Sequence, residues 1–167
     1  WSWRFEGHHL SFNYTILNGK VIGVPSFWGS NPAVCDFGPG RKLIALEVEE
    51  FAARKLRNSL STEQANKAVI ADKAPRDILT SALPKVTALE NTGIAYGELN
   101  KNQQTQLTQL IEEYINRHRA VVAKEDWAKI EKSGFDKIRF SWAGSTKAFE
   151  AHYYRIQGPT FLLEYAN

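Results

Sequence analysis

The sequence predicts an α+β domain, in which a mostly antiparallel sheet is formed by strands from both ends of the chain and a helical middle segment packs on it. Of the 20 aromatic residues, eight lie in residues 1–37, nine in residues 127–165 and only three in the 89 residues between. Aromatic side chains favour the pleated, half-buried surface of sheets, so both ends are predicted to be strands. An order of strands, helices and strands is typical of α+β folds.

The N-terminal aromatic region predicts a long strand and a hairpin. The first strand is expected over residues 3–16 and the second over residues 20–24, because Asn18-Gly19 between them is a dipeptide that favours a two-residue hairpin turn. The stretch GSNPAVCDFGPGRK that follows is rich in Gly, Pro and Asn, so it is predicted to be a loop.

The middle of the chain predicts helices that cover the sheet. Helices are expected over residues 44–60, 61–71, 102–122 and 127–132, where apolar residues recur at helical spacing. Ser61 and Gln64 form a predicted capping box, and Gly134 is a predicted C-terminal cap. The stretch containing Pro75 and Pro84 is expected to be irregular. We expect this segment to have no chemistry of its own, with its carboxylates on solvated faces. A deepest polar cleft lined mainly by residues 61–90 would overturn this expectation.

The C-terminal region predicts three strands, over residues 137–142, 148–157 and 160–165. Gly158 and Pro159 are predicted to form the turn of the last hairpin. That register pairs Arg155 with Leu162, which makes Glu164 a diagonal neighbour of Arg155 and predicts an ion pair. One face would carry Tyr153, Arg155, Leu162 and Glu164, and the other His152, Tyr154, Ile156, Phe161, Leu163 and Tyr165. The first and last strands are expected to share one sheet.

Histidines on the end strands are the candidates for a metal site. Consecutive residues of a regular strand point to opposite faces, so only one of His8 and His9 can join a given site. We expect at least one of them to lie close to His152, because one sheet is predicted to contain the strands that carry them. The candidate metal ligands are therefore His8 or His9, one of the two, together with His152. Such a set suits a divalent metal, either zinc or copper or iron.

A metal-dependent enzyme, hydrolytic or oxidative, is the first functional hypothesis. Its catalytic residues would be Glu6, Arg155 and Glu164. Glu6 or Glu164 would be an extra ligand, a partner that orients a ligand, or a general base. Arg155 would bind or orient the substrate, whose identity the sequence leaves open.

The second hypothesis is a non-enzymatic extracellular binding module in which the histidines are structural. Its binding residues would be Trp3, Trp28 and Tyr153, with Trp1 and Phe27 extending the same aromatic surface. Exposed aromatic side chains offer an apolar body with a polar edge, which suits carbohydrate or protein partners.

Charge and composition exclude other classes of partner. The net charge is +3, and basic residues are scattered among acidic ones, so the sequence predicts no nucleic-acid binding. No apolar run approaches the roughly 20 residues needed to span a bilayer.

The chain contains no methionine and ends in a strand-like pattern. We therefore expect residues 1–167 to be a single domain and a fragment of a longer protein, whose flanking segments are also its partners.

Five stretches carry a resemblance to a known family. They are WRFEGHHLSFNYTILNGK, PSFWGSNPA, VIADKAPRDILT, IRFSWAGS and HYYRIQGPTFLLEY, and they span essentially the whole chain. Together they resemble the uncharacterised bacterial family called domain of unknown function 3500. The resemblance implies an extracellular or periplasmic protein with a further segment ahead of Trp1. It also implies that this chain is the C-terminal portion without the family's final His-x-His segment, with Ala166 where the family pattern has aspartate. Two histidines so spaced on a strand share a face, so the resemblance favours a metal site in the longer protein.

Overall fold

The computed structural model describes residues 1–83 and 85–167, so Pro84 and the irregular conformation predicted for it lie outside the described residues. Within these ranges the chain forms eleven strands and four α-helices. The strands are β1 (Ser2–Glu6), β2 (Leu10–Leu17), β3 (Lys20–Ile22), β4 (Ser26–Trp28), β5 (Val34–Asp36), β6 (Lys42–Ile44), β7 (Val69–Ala71), β8 (Ile94–Ala95), β9 (Arg139–Gly144), β10 (His152–Gly158) and β11 (Phe161–Ala166). The helices are α1 (Glu47–Ser59), α2 (Thr62–Ala68), α3 (Lys101–Ile115) and α4 (Ala120–Ser133). The predicted α+β class is confirmed, with antiparallel sheets at both ends of the chain and helices between them.

The N-terminal strands form a sheet of their own, in the order β1-β2-β3 with β4 also paired to β2. The predicted turn at Asn18-Gly19 is confirmed, since both residues have the positive φ angles (51° and 76°) that a type I′ turn requires. The prediction of one strand over residues 3–16 is wrong. The Gly7 amide donates to the Leu10 carbonyl oxygen (2.7 Å) and closes a hairpin between β1 and β2. Because both strands alternate apolar and polar residues, this pairing places their apolar side chains on one face.

The C-terminal strands form a second sheet, in the order β11-β10-β9-β7 with β8 also paired to β9. The pairs are antiparallel except for β7 with β9, which is parallel. The expectation that the first and last strands share one sheet is therefore wrong. Strand β10 already has a neighbour on each side, and β9 pairs beyond it with β7 and β8, so the inner strands offer no edge to the N-terminal hairpin.

The last hairpin turns one residue later than predicted. Residues 159–160 form its loop, and Gly158 lies opposite Phe161. A Cβ atom at Gly158 would come within 2.6 Å of the Phe161 ring, which explains the glycine. The pairing differs from the predicted register by two residues, so the two predicted faces keep their residues. Arg155, however, lies directly opposite Glu164.

The predicted helix caps, which depend only on a few neighbouring residues, are confirmed, but some predicted helix bounds are not. Ser61 and Gln64 form the predicted capping box, and Gly134 (φ 89°) follows α4 as its cap. Helix α2 ends earlier than predicted, because the residues after it pair with β9 as strand β7. The helix expected over residues 102–122 is divided into α3 and α4. The stretch predicted to be a loop contains the paired strands β5 and β6.

The main core lies between the helices and one face of the C-terminal sheet. Its largest buried side chains include Trp142, Tyr154 and Ile156 from the sheet and Leu56, Leu107, Leu110 and Ile111 from α1 and α3. Full burial of one such aliphatic side chain contributes about 1.5–3 kcal/mol. The opposite face of the sheet is covered by residues 79–80 and 89–92, which are hydrogen-bonded to Glu164, Arg155 and Gln157. The C-terminal sheet is therefore covered on both faces.

The N-terminal sheet is joined to the helices through β2 and β4. The Tyr14 hydroxyl lies 3.3 Å from Nδ1 of His118, and the Arg117 guanidinium lies 4.9 Å above the Trp28 ring. Both partner residues belong to the short connection between α3 and α4. All five residues of β1, in contrast, are exposed. No helix of the described ranges combines the length and the apolar character needed to cross a membrane.

Candidate functional site

A cluster of buried polar side chains joins α1 to the C-terminal sheet. It consists of Glu50 and Arg54 from α1, His152 from β10 and Tyr165 from β11. Arg54 donates hydrogen bonds to Oε1 of Glu50 (2.7 Å) and to Nδ1 of His152 (2.8 Å). It also donates to two backbone carbonyl oxygens of residues 145–150. The Tyr165 hydroxyl donates to Oε2 of Glu50 (3.1 Å).

The protonation of this cluster follows from its donors. Because an arginine only donates, Nδ1 of His152 accepts, and the proton of the neutral ring lies on Nε2, 3.3 Å from Oε2 of Glu50. Burial lowers the pKa of His152, against the raising effect of the Glu50 charge. Burial opposes ionisation of Glu50, but the hydrogen bonds from Arg54 and the Phe149 amide, together with the neighbouring positive charge, outweigh it, and the pKa of Glu50 is lowered. At neutral pH the cluster therefore holds an ionised Glu50 and a neutral His152.

The cluster is closed to ligands. Each of its four residues is at most 9% exposed, and none of them lines either of the two described cavities. A catalytic group has to touch its substrate, so this arrangement is structural and ties α1 to the sheet. The prediction that carboxylates of the helices lie on solvated faces is wrong for Glu49 and Glu50, which are both buried. Their charges are tolerated because Glu49 pairs with Arg117 and Glu50 with Arg54.

The predicted metal ligands lie in different parts of the molecule. His8 and His9 occupy the turn between β1 and β2, with ring centroids 4.4 Å apart. His152 is fully buried in the other sheet. Among residues 1–83 and 85–167, no group of three or more His, Cys, Asp or Glu side chains lies close enough to hold a metal ion. The shared sheet that was expected to bring these histidines to His152 does not form. Their approach to His152 stays a prediction. The divalent-metal hypothesis itself, with zinc, copper or iron, stays a prediction.

The predicted catalytic residues are divided in the same way. Glu6 is exposed at the end of β1. Arg155 and Glu164 lie opposite each other in the second sheet, but the expected ion pair between them does not form within the described structure. Glu164 accepts hydrogen bonds instead from the amide and hydroxyl of Thr80 and from the hydroxyl of Tyr153. Tyr153, a predicted binding residue, is fully buried, and burial together with Glu164 raises its pKa.

The remaining predicted binding residues lie on the apolar face of the N-terminal sheet. Trp1, Trp3 and Phe5 alternate with polar residues, so they share this face, and they are 79%, 47% and 59% exposed. The Trp3 ring stacks on Tyr14 of β2 at 4.7 Å. Trp28 lies on the same face but is half-buried beneath the α3–α4 connection. The outer part of this face, on β1, is thus an open aromatic surface.

Strand β1 also leaves one side of its backbone unpaired. The Ile16 amide donates to the Trp1 carbonyl oxygen (2.8 Å), and the Trp1 amino group donates to the Ile16 carbonyl oxygen (3.2 Å). Since hydrogen bonding alternates along an antiparallel strand, the N–H and C=O groups of Ser2, Arg4 and Glu6 point away from β2. Among the described strands β1 pairs with β2 alone, so these outward groups form a free sheet edge.

Two features were not predicted from the sequence. Glu50 and Arg54 have the i, i+4 spacing of an ion pair, but that spacing usually marks a solvated helix surface. The second feature is a cavity of about 490 Å³ with both polar and aliphatic lining, most of which, including Lys67, Val69 and Leu89, comes from residues 61–90. The expectation that the helical middle has no chemistry of its own stays a prediction.

Comparison with known proteins gives one match. A family model described as a protein of unknown function (DUF3500) matches residues 1–167. No curated protein and no solved structure matches the chain. The matched range includes both sheets and the helices between them, and it contains all five stretches that carry the resemblance in the sequence. The chain therefore belongs to the DUF3500 family of proteins of unknown function.

Proposed function

We propose that this domain is a binding module that takes an extended segment of another protein onto the free edge of β1. The observation that carries the proposal is that all five residues of β1 are exposed on a strand with one unpaired side. Such an edge is a template for pairing with another chain, and proteins that do not use it commonly block it with proline, a bulge or a covering segment. Strand β1 contains no proline, and its two charges, Arg4 and Glu6, pair with each other (3.4 Å).

The side chains next to this edge supply the second part of the recognition. Trp1, Trp3 and Phe5 lie on one face at alternate positions, so a strand added beside β1 would place its own alternate side chains against them. In strand addition the backbone hydrogen bonds provide affinity and the side-chain contacts provide specificity. Tryptophan is among the residues that contribute most where proteins bind each other.

Three observations favour a protein segment over a carbohydrate or an enzymatic substrate. The Trp3 ring already stacks on Tyr14 with an interplanar angle of 20°, so one of its two faces is occupied. The unpaired N–H and C=O groups of Ser2, Arg4 and Glu6 have the spacing of a β-ladder, which another strand matches. The polar cluster around Glu50, for its part, is buried and has no room for a substrate.

The extracellular or periplasmic location that the family resemblance implies stays a prediction, and it would place the partner outside the cytoplasm.

Selection of peptides from a displayed random library on the immobilised chain tests the proposal. Arg4→Pro is the decisive variant, because it removes an N–H that points away from β2, and proline is tolerated on edge strands. Arg4→Ala is the matched control, which removes the same charge and keeps the N–H. Selected peptides should bind the wild type and Arg4→Ala alike, and should bind Arg4→Pro at least about tenfold more weakly, a loss of about 1.4 kcal/mol.

The side-chain part of the proposal has its own variant. Trp3→Ala combined with Phe5→Ala should weaken the same peptides while leaving the edge N–H groups in place. Peptides that bind Arg4→Pro as tightly as the wild type would contradict strand addition. Binding of a carbohydrate array in the absence of any selected peptide would replace the protein partner with a sugar.

A further inference from the structure

A cavity of about 490 Å³ lies on the face of the C-terminal sheet that carries Arg155. Ligand pockets of proteins usually measure about 300–1,000 Å³, so this cavity has room for a small molecule. Its polar lining includes Lys67, Thr92 and Arg155. The site lies in the other sheet from β1, so it is independent of the proposed strand addition.

The Arg155 side chain is only 3% exposed, yet part of its hydrogen-bonding capacity is unused. Nη2 donates to the Glu90 carbonyl oxygen (2.8 Å) and to the Thr92 hydroxyl (2.7 Å). Nε is buried and has no acceptor among the described residues, and no hydrogen bond from Nη1 is found there. A guanidinium has five N–H donors, of which these two hydrogen bonds use two, and the Tyr153 hydroxyl also lies near the guanidinium.

No carboxylate of the described residues forms an ion pair with Arg155. Glu164 lies opposite it but is occupied by backbone amides and hydroxyl groups. Glu90 offers Arg155 its backbone oxygen and forms no ion pair with it, and Lys67 is paired with Glu98. An arginine does not lose its proton in proteins, and a buried charge without a partner is unfavourable. An anion in the adjoining cavity would supply the missing partner.

The rest of the lining indicates which class of anion fits. Apart from its polar residues, the cavity is lined by the aliphatic side chains of Val69, Ile70, Leu79 and Leu89. A carboxylate matches the planar fork of a guanidinium, and an apolar body attached to it would bury against these four side chains. An inorganic phosphate ion would leave the aliphatic side chains in contact with water. We propose that Arg155 anchors a binding site for a small organic carboxylate with an aliphatic body.

Calorimetric titration with hexanoate tests this site directly. Hexanol is the matched control, because it has the same aliphatic chain without the charge, and inorganic phosphate is an anion without the chain. The wild type should bind hexanoate at one saturable site and should bind neither control. Arg155→Lys keeps the positive charge but loses the planar fork, so its hexanoate affinity should fall at least about tenfold. Arg155→Met should bind no hexanoate.

A second measurement on the wild type keeps the proposal testable if both variants fail to fold. The nuclear magnetic resonance signal of the Arg155 Nε–H group should move on addition of hexanoate and remain in place on addition of hexanol. Hexanoate that does not saturate, hexanol that binds equally well, or phosphate that binds in preference would each overturn the site. Saturable hexanoate binding that leaves the Arg155 signal unmoved would overturn the anchor. The Arg4→Pro variant should bind hexanoate like the wild type, which separates this test from that of the free edge.

Discussion

The two sheets of this protein are both rich in aromatic residues, but the fold surrounds them differently. Strand β10, in the middle of the C-terminal sheet, is buried from His152 to Ile156, with helices on one face and residues 79–80 and 89–92 on the other. Strand β1, at the edge of the N-terminal sheet, is exposed along its whole length. The comparison teaches that aromatic alternation predicts a strand but does not predict what covers it, because the covering elements come from distant parts of the chain.

The two regions also differ in what stabilises them. The C-terminal sheet is held by a large apolar core and by the buried cluster of Glu50, Arg54, His152 and Tyr165. The β1–β2 hairpin has cross-strand pairs such as Phe5 with Phe12, and each pair of this kind contributes about 0.2–1 kcal/mol. We therefore expect substitutions to destabilise the protein strongly in the first region and weakly in the second.

The largest expected effect is that of Arg54→Met. The substitution leaves the Glu50 carboxylate buried without its cation and removes the donors to His152 and to two carbonyl oxygens. Breaking a buried ion pair from one side costs about 3–5 kcal/mol, and urea unfolding should show a loss of stability of that size. Lys129→Met is the matched control, because it breaks a mostly exposed pair with Asp126 (2.7 Å) and should cost less than about 1 kcal/mol. Equal losses of unfolding free energy in the two variants would contradict a special contribution of the buried cluster to stability.

A smaller effect is expected when the pH is lowered. Burial holds the pKa of His152 below its ordinary value of 6.5, so below pH 6.5 the unfolded chain takes up a proton that the folded chain does not bind. The free energy of unfolding should therefore fall as the pH decreases from about 6.5. Urea unfolding at pH 7.5 and at pH 5.5 measures this change.

The variant His152→Gln should reduce this pH dependence without abolishing it, because burial also lowers the pKa of His118. His8→Gln, in the exposed turn, is the matched control and should retain the wild-type pH dependence. A pH dependence that is the same in His152→Gln and in the wild type would show that His152 is not its source.

The smallest effect on stability is expected from Phe5→Ala, on the open face of β1. The side chain is more than half exposed, so its loss should change the free energy of unfolding by no more than about 0.5 kcal/mol. Phe140→Ala is the matching truncation in the C-terminal sheet, and it should cost about 3–5 kcal/mol because Phe140 is fully buried. A large loss in Phe5→Ala would mean that β1 contributes to the stability of the whole domain.

Features of the fold that depend on neighbouring residues were predictable from the sequence. The Asn18-Gly19 turn, the Ser61–Gln64 capping box and the Gly134 cap each need only a few adjacent residues to form. The faces of the last hairpin followed from alternation alone, which a register difference of two residues does not change. The α+β order followed from composition along the chain.

Features that depend on distant contacts were not predictable. The alternation of apolar and polar residues along a strand does not show which strands become neighbours. It therefore cannot distinguish one shared sheet from two separate sheets. Glu50 and Arg54 have the spacing of an ordinary surface pair, and their burial depends on His152, about a hundred residues away along the chain. The unused donors of Arg155 depend in the same way on the segment that contains Glu90 and Thr92. The sites proposed here therefore rest on the three-dimensional structure.

Amide hydrogen exchange of the free protein, resolved by residue, tests the difference between the two sheets most directly. The amides of Arg4 and Glu6 point away from β2 and should exchange at nearly the rate of an unstructured peptide. The amides of Tyr154 and Ile156 in β10 should exchange only on global unfolding, since this strand is buried and paired on both sides. Protection of Arg4 and Glu6 comparable to that of β10 would contradict the free edge and the binding function proposed for it.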